Sequence, residues 1–149
     1  FGIGEIAKSA RVLDAPFLMR LPSRPSGREP DILFVRNENL SRIQQTYLDG
    51  PADLVVEIIS PESIGRDRGD KFVEYEKGGV TEYWLLDHDR RRAEFYQLDS
   101  AGFYRLIEPD ARGVYRSKVV EGFWIKVEWL WQEPLPMEED VLREIRANV

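Results

Sequence analysis

The segment Asp53-Leu54-Val55-Val56-Glu57-Ile58-Ile59-Ser60 constrains the fold more than any other part of the chain. It is apolar at most positions, which is typical of a central strand covered on both faces. Ser60-Pro61-Glu62-Ser63 follows and predicts a helix start, with the helix running to Lys77 and stopping at Gly78-Gly79. A further strand, Glu82 to Asp87, comes next. Strand, helix and strand with short joins predict a right-handed crossover and a parallel strand pair.

The flanking segments predict further strands around this unit. Short strands are expected over residues 1–7, 12–21 and 31–35, with a loop at 22–27 and a short helix or turn within 37–49. A meander and then a terminal amphipathic helix are expected over 92–98, 103–107, 114–119, 123–130 and 137–145. We therefore predict an α/β fold with a mixed β-sheet, a covering helix and an antiparallel β-meander extension, in a single domain over residues 1–149.

Composition excludes several classes of site. The chain of 149 residues has no cysteine and one histidine, which rules out disulfides, cysteine zinc sites and multi-histidine metal sites. A net charge of −6 argues against a broad basic surface for nucleic acid, although it leaves room for a small basic groove. No stretch approaches the roughly 20 apolar residues of a membrane span. We expect a cytoplasmic protein that does not bind membranes.

Two carboxylates lie in predicted strands. Asp31 opens the strand Asp31 to Val35, and Glu57 lies inside the central strand, where a carboxylate must be paired, protonated or bound to metal. If the two strands are neighbours, about 4.8 Å apart, both carboxylates can bind one hard cation. Mg²⁺ or Mn²⁺ would take them with waters and the backbone carbonyl of Ile58. Lys71, on the covering helix, could stabilise charge on a phosphate, and a metal-activated water would be the nucleophile.

Each of these residues also has a simpler interpretation. Asp31 could be a turn residue after Pro30. Glu57 could form a structural ion pair with Lys71. Lys71 could be a solvated helix lysine paired with Asp67, four residues before it. Three such coincidences would be needed together, so the sequence favours a functional site.

Further residues are candidates for supporting roles. Asp67 and Tyr75 lie four residues on either side of Lys71 on the predicted helix, so they share its face. Asp53 is expected to shape the start of the central strand or to orient Lys71. The run Arg90-Arg91-Arg92 is interpreted as a solvated hairpin end, with contact to phosphates as the alternative.

Three segments in order carry a family resemblance: Glu29-Pro30-Asp31-Ile32-Leu33-Phe34-Val35, Gly50 to Ser63, and Asp67 to Asp87 with its Gly78-Gly79 and Glu82-Tyr83-Trp84-Leu85-Leu86-Asp87. They closely resemble the Uma-two family, which is found in bacteria and is placed in the PD-(D/E)XK restriction-endonuclease-like superfamily. The resemblance covers Ala15 to Leu130. It implies a core made of a helix, three antiparallel strands, a second helix and a further strand.

The resemblance also implies roles for individual residues. Asp31 and Glu57 match the superfamily acids. The superfamily lysine belongs two residues after the glutamate, where this chain has Ile59, and the helical Lys71 stands in for it. The opening helix of the family is expected to be missing from this chain.

We therefore predict a magnesium- or manganese-dependent DNA endonuclease. The predicted catalytic residues are Asp31, Glu57 and Lys71, and the predicted metal ligands are Asp31, Glu57 and Ile58. DNA is the expected partner, and the chain is expected to form a homo-oligomer, specifically a dimer. One alternative is a catalytically silent nuclease fold that serves as a binding module, since the lysine is displaced and the chain is acidic. Another is a structural oligomer built on the aromatic-rich meander.

Overall fold

A computed structural model describes residues 10–148, except for the side chain of Asp67. The strand predicted over residues 1–7 lies outside the described residues. The strands within the described range are β1 (Ala10–Asp14), β2 (Leu18–Leu21), β3 (Arg24–Arg28), β4 (Ile32–Arg36), β5 (Tyr47–Asp49), β6 (Leu54–Ile58), β7 (Glu82–Asp87), β8 (Arg92–Leu98), β9 (Tyr104–Leu106), β10 (Val114–Arg116) and β11 (Trp124–Lys126). The helical elements there are a π-helical turn (Arg66–Asp70) that leads into α1 (Lys71–Gly78), 3-10 turns at Asn37–Arg42 and Val127–Leu130, and α2 (Glu138–Ala147).

A six-stranded mixed sheet in the order β1-β4-β6-β7-β8-β9 forms the centre of the fold. β6 and β7 are parallel and are joined through α1, whereas the other neighbouring strands are antiparallel. The predicted parallel pair, covering helix and mixed α/β fold are therefore confirmed. β6 is buried on both faces because layers pack on each side of it. None of the helices in the described part of the chain is long and apolar enough to cross a membrane.

The alternation of side chains along β6 separates two hydrophobic cores. Leu54 and Val56 face a core with Trp84 that is covered by β10, β11 and α2. Val55 points the other way, into a core with Tyr75 of α1 and with the small sheet β3-β2-β5. Because side chains alternate with a period of two, Glu57 faces the α1 side together with Val55.

A glycine cap and two hydrogen-bonded contacts fix the end and the position of α1. The helix ends at Gly79, whose φ of +85° is the left-handed conformation that glycine adopts without strain. The Arg28 guanidinium makes two hydrogen bonds to Glu74, at 2.8 and 3.0 Å, which tie α1 to β3. The hydrogen bond and charge of Arg28 lower the pKa of Glu74. The backbone N–H of Tyr104 donates to the Glu76 carboxylate at 2.8 Å. These contacts set the position of Lys71 at the first turn of α1.

Several local predictions were wrong. Residues 24–28 form strand β3 instead of a loop, because Pro25 and Gly27 are tolerated on the edge of the β3-β2-β5 sheet. The segment 12–21 is two strands in different sheets, and the segment 37–49 holds a 3-10 turn followed by β5. The meander is continuous only through β7, β8 and β9, since β10 and β11 pair with each other in a separate two-stranded sheet.

Candidate active site

The site lies where the hydrogen-bond ladder between β4 and β6 ends. The last paired residues of this antiparallel ladder are Ile32 and Val56, and the next residues along are Asp31 and Glu57. The backbone N–H of Asp31 donates to Glu57 Oε1 at 3.0 Å, and the backbone N–H of Ile58 donates to Asp31 Oδ2 at 2.7 Å. Each carboxylate is thus fastened to the backbone of the other strand. The two acids lie on neighbouring strands, on the face that α1 covers.

Glu57 is buried at the centre of this arrangement. It is 2% exposed, and its Oε2 atom contacts the Lys71 ammonium of α1. The Tyr75 hydroxyl, one helical turn further on, donates to the same oxygen at 3.4 Å. The Lys71 side chain is 16% exposed, so it reaches solvent at the edge of the site. The structure therefore brings Asp31, Glu57, Lys71 and Tyr75 together.

The other two supporting residues are not in this group of contacts. Asp53 lies at the opposite end of β6, where it accepts hydrogen bonds from the Arg36 N–H at 2.7 Å and from the Asn39 amide at 2.8 Å. These contacts hold the start of β6. They agree with the first of the two roles predicted for Asp53, which is to shape the start of the central strand. The side chain of Asp67 lies outside the described residues, so its predicted role stays a prediction.

The donor atoms at the site suit a hard cation. Among the described residues, no group of three or more histidine, aspartate or glutamate side chains is placed to hold a metal. The predicted ligand set is instead two carboxylates and the carbonyl of Ile58. In a β-strand, the N–H and C=O groups of one residue point toward the same neighbouring strand. The Ile58 N–H donates to Asp31, so the Ile58 carbonyl also points toward the Asp31 side of β6. An all-oxygen set completed by water is what Mg²⁺ and Mn²⁺ prefer.

A second buried carboxylate lies in the same row of the sheet and was missed in the sequence. Glu57 pairs with Leu85 of β7, and Leu85 pairs with Glu94 of β8. Glu94 binds the guanidinium of Arg68, at 2.6 and 2.8 Å, and that of Arg92, at 2.9 Å. The signal was present, because Glu94 is an acid inside a predicted strand just as Glu57 is. The register of β7 and β8, which puts both acids in one row, could not be foreseen.

Glu94 also perturbs a neighbouring phenol. The Tyr96 hydroxyl donates to Glu94 Oε2 at 3.0 Å. Burial, followed by this hydrogen bond to a carboxylate, raises the pKa of Tyr96 to about 12. Tyr96 therefore remains a neutral hydrogen-bond donor to Glu94 at physiological pH.

Another buried acid has a structural role on the opposite face. Glu82 of β7 accepts hydrogen bonds from the Trp84 indole at 2.7 Å, the Ser117 hydroxyl at 2.9 Å and the Lys118 N–H at 2.7 Å. Burial raises the pKa of Glu82. Its partners tie β7 to the segment after β10, away from Asp31 and Glu57.

A large apolar cavity also lies on that opposite face. Its volume is about 420 Å³, and it is lined by side chains that include Val56, Ile58, Trp84 and His88. Asp31, Glu57 and Lys71 do not line it. The sheet separates the cavity from the acidic site, so the cavity does not enclose that site.

This chain is similar to known proteins in sequence and in fold. Residues 4–128 match the Uma2 family, whose description is "Putative restriction endonuclease". A solved structure, that of a "putative nuclease belonging to DUF820" from Anabaena variabilis ATCC 29413, superposes with a TM-score of 0.66 at 19% identity. The superposition covers 87% of this chain and 73% of the Anabaena chain, and it shows a shared fold. No protein of curated function matches. The match over residues 4–128 spans most of the sequence, and this chain therefore belongs to the Uma2 family of restriction-endonuclease-like proteins.

Proposed function

We propose that this chain hydrolyses phosphodiester bonds in DNA with the help of Mg²⁺ or Mn²⁺. The observation that carries the proposal is the interlocked pair of Asp31 and Glu57, with Lys71 in contact with the buried acid. The family description and the nuclease fold of the Anabaena protein support a nucleic-acid substrate.

The charges at the site favour a bound cation. Asp31 and Glu57 carry two negative charges, and Lys71 contributes one positive charge. Burying charge without compensation is costly, so a divalent cation beside Asp31 would be held strongly. Asp31, Glu57 and the Ile58 carbonyl would hold it. When bound, such a cation supplies Lewis-acid stabilisation of phosphate charge and an activated water.

The side chains then have separate roles. The hydrogen bond from Ile58 N–H orients Asp31, and the hydrogen bond from Asp31 N–H orients Glu57. The Lys71 ammonium, at the edge of the site, is placed to stabilise negative charge that develops on the phosphate during cleavage. The Tyr75 hydroxyl keeps the Glu57 carboxylate turned toward Lys71.

Cleavage of supercoiled plasmid DNA tests the proposal. Wild type should nick plasmid with Mg²⁺ or Mn²⁺ and should be inactive in EDTA. Asp31→Asn and Lys71→Met should each lower the rate by at least about 100-fold, the cost of removing one charge-stabilising group. Asp140→Asn is the matched control, because Asp140 pairs with Arg143 on the exposed surface of α2. Equal cleavage by wild type and Asp31→Asn would refute the proposal.

A second candidate is a catalytically silent module that binds nucleic acid. It is favoured by the hydrogen bonding of Glu57, because both of its oxygens already accept from protein donors, namely Asp31 N–H, Lys71 and Tyr75. This candidate predicts DNA binding in EDTA, no cleavage, and a melting temperature that does not respond to Mn²⁺.

Assembly as a homodimer and a cytoplasmic location stay predictions. Light scattering of the purified chain tests the first, and fractionation of cells that express the full-length protein tests the second.

A further inference from the structure

Glu94 holds two arginines side by side. Arg68, from the turn before α1, uses a single nitrogen to contact both Glu94 oxygens, at 2.8 and 2.6 Å. Arg92, at the start of β8, contacts Glu94 Oε1 through one terminal nitrogen at 2.9 Å. We call Arg68 and Arg92 the arginine pair. Because Glu94 is buried and also accepts from Tyr96, it is a fixed anchor for both guanidinium groups.

The arginine pair keeps hydrogen-bond donors directed at solvent. The Arg68 side chain is 33% exposed and that of Arg92 is 62% exposed. A guanidinium carries five N–H donors, and Glu94 engages only one nitrogen of each arginine. Within the described part of the chain, no other acceptor lies in hydrogen-bond or ion-pair contact with Arg68 or Arg92. Two arginines and one carboxylate leave a net charge of +1 at this point of an acidic protein.

The arginine pair lies beside the candidate active site. Glu57, Leu85 and Glu94 are consecutive register partners across three strands, so the two acids are about 10 Å apart at 4.8 Å per strand. Arg68 and Lys71 are three residues apart on one helical segment, so their side chains leave it on the same side. Arg68 contacts Glu94, and Lys71 contacts Glu57. A separation of this size can be spanned by one nucleic-acid strand that lies across both positions.

We propose that the arginine pair binds a backbone phosphate of the nucleic acid and positions the strand so that a nearby phosphodiester of the same strand reaches Asp31 and Glu57. The inference rests on the proposed function. Planar guanidinium groups suit phosphate because they donate paired hydrogen bonds to its oxygens. Glu94 is a positioning residue that keeps both groups in place. The nearby buried acid Asp87 also attracts Arg68, but Asp87 is paired with Arg90, so this second pair leaves the local net charge at +1.

Salt-dependent DNA binding in EDTA tests this inference without relying on catalysis. The affinity of a fluorescein-labelled DNA duplex is measured by anisotropy between about 50 and 200 mM salt, the range in which phosphate contacts are readily resolved. The variant Arg68→Gln/Arg92→Gln/Glu94→Gln removes the arginine pair without leaving a buried, uncompensated carboxylate. It changes the net charge by −1. Arg105→Gln is the matched control, because it also changes the net charge by −1. Arg105 is an exposed arginine on β9 that forms an ion pair with Asp99.

The slope of log affinity against log salt should be smaller by about one in the triple variant, as expected for one lost phosphate contact. The slope for Arg105→Gln should equal that of wild type. If the triple variant does not fold, Arg92→Gln is measured alone, because the Arg92 side chain is largely exposed and its loss should not prevent folding. The slope should then also be smaller than that of wild type. An unchanged slope in whichever of these variants folds overturns the inference, as does an equal fall in Arg105→Gln or a wild type that does not bind DNA.

The two proposals fail in different ways. If wild type cleaves plasmid and the triple variant retains the full salt slope, the arginine pair is not a phosphate site, but the proposed function stands. If wild type binds DNA with the predicted change in slope and never cleaves it, the arginine pair is a phosphate site and the proposed catalysis fails.

Discussion

Replacing Glu57 by glutamine should destabilise the metal-free protein. The substitution keeps the shape of the side chain and an oxygen that can accept from Asp31 N–H. It removes the negative charge that the Lys71 ammonium contacts, and it places an amide N–H₂ opposite that ammonium or opposite the Asp31 N–H. Lys71 therefore loses the carboxylate in direct contact with it while its side chain stays mostly buried.

The structure sets the size of this effect. Breaking a buried ion pair by removing one partner costs about 3–5 kcal/mol. Lys71 is 16% exposed and can recover part of its hydration, so we expect the lower end, about 3 kcal/mol. For a chain of 149 residues this corresponds to a fall of roughly 6–12 °C in melting temperature.

Urea unfolding of a double-mutant cycle measures the interaction directly. Glu57→Gln, Lys71→Met and the double variant are compared with wild type in EDTA. The double variant should lose less free energy of unfolding than the sum of the single variants, because a neutral pair needs no charge compensation. A loss below about 0.5 kcal/mol in Glu57→Gln, which is typical of an exposed surface change, would refute the reasoning. So would strictly additive losses in the cycle.

Three further outcomes are expected. Asp53→Ala should lower stability by about 2 kcal/mol, because the partly buried Arg36 N–H and Asn39 amide lose the buried carboxylate that accepts from them; urea unfolding within 0.5 kcal/mol of wild type would contradict this. Gly79→Ala should cost about 1 kcal/mol through its positive φ, and a gain in melting temperature would contradict it. Since the pKa of Glu82 is raised in the folded protein, its contribution to stability is complete below its unfolded pKa and is lost as pH rises through the folded pKa. The free energy of unfolding of wild type should therefore fall, relative to Glu82→Gln, as pH rises from about 4.5; a rise would show that the sign is wrong.

The central part of the fold could be predicted because local and long-range signals agree there. The segment around Val55 is apolar enough to be buried on both faces, and Gly78-Gly79 marks a helix end, as the structure confirms. The helix-start residues Ser60 to Ser63 gave the position of the helix less well, because the regular α-helix begins only at Lys71, after the π-helical turn Arg66–Asp70. Proline and glycine signal turns, so the sequence predicts a loop over residues 22–27, most of which belongs to strand β3 (Arg24–Arg28) in the structure. Residues 24–28 form a strand because β2 supplies their hydrogen-bond partners. Pairing with β2 is a long-range interaction, which the local sequence of residues 24–28 does not encode.

The candidate site could be predicted in part for a similar reason. An acid inside an apolar strand is a local signal, and it identified Glu57. The arrangement around Glu94 depends on strand register and on where the turn before α1 places Arg68, which are properties of the assembled fold. Arg92 was assigned to a solvated hairpin end. Its side chain is indeed largely exposed, but one nitrogen is held by a buried carboxylate that the local sequence did not link to it.

The central claim is that Asp31 and Glu57 jointly bind a divalent cation, and a Mn²⁺ soak of crystals tests it most directly. We predict an anomalous difference peak between the two carboxylates, at about 2.0–2.6 Å from oxygen ligands that include the Ile58 carbonyl. The peak should be absent from Asp31→Asn crystals soaked in the same way. Wild-type crystals with no peak at this position, and with Lys71 still in contact with Glu57 at saturating Mn²⁺, would contradict the account.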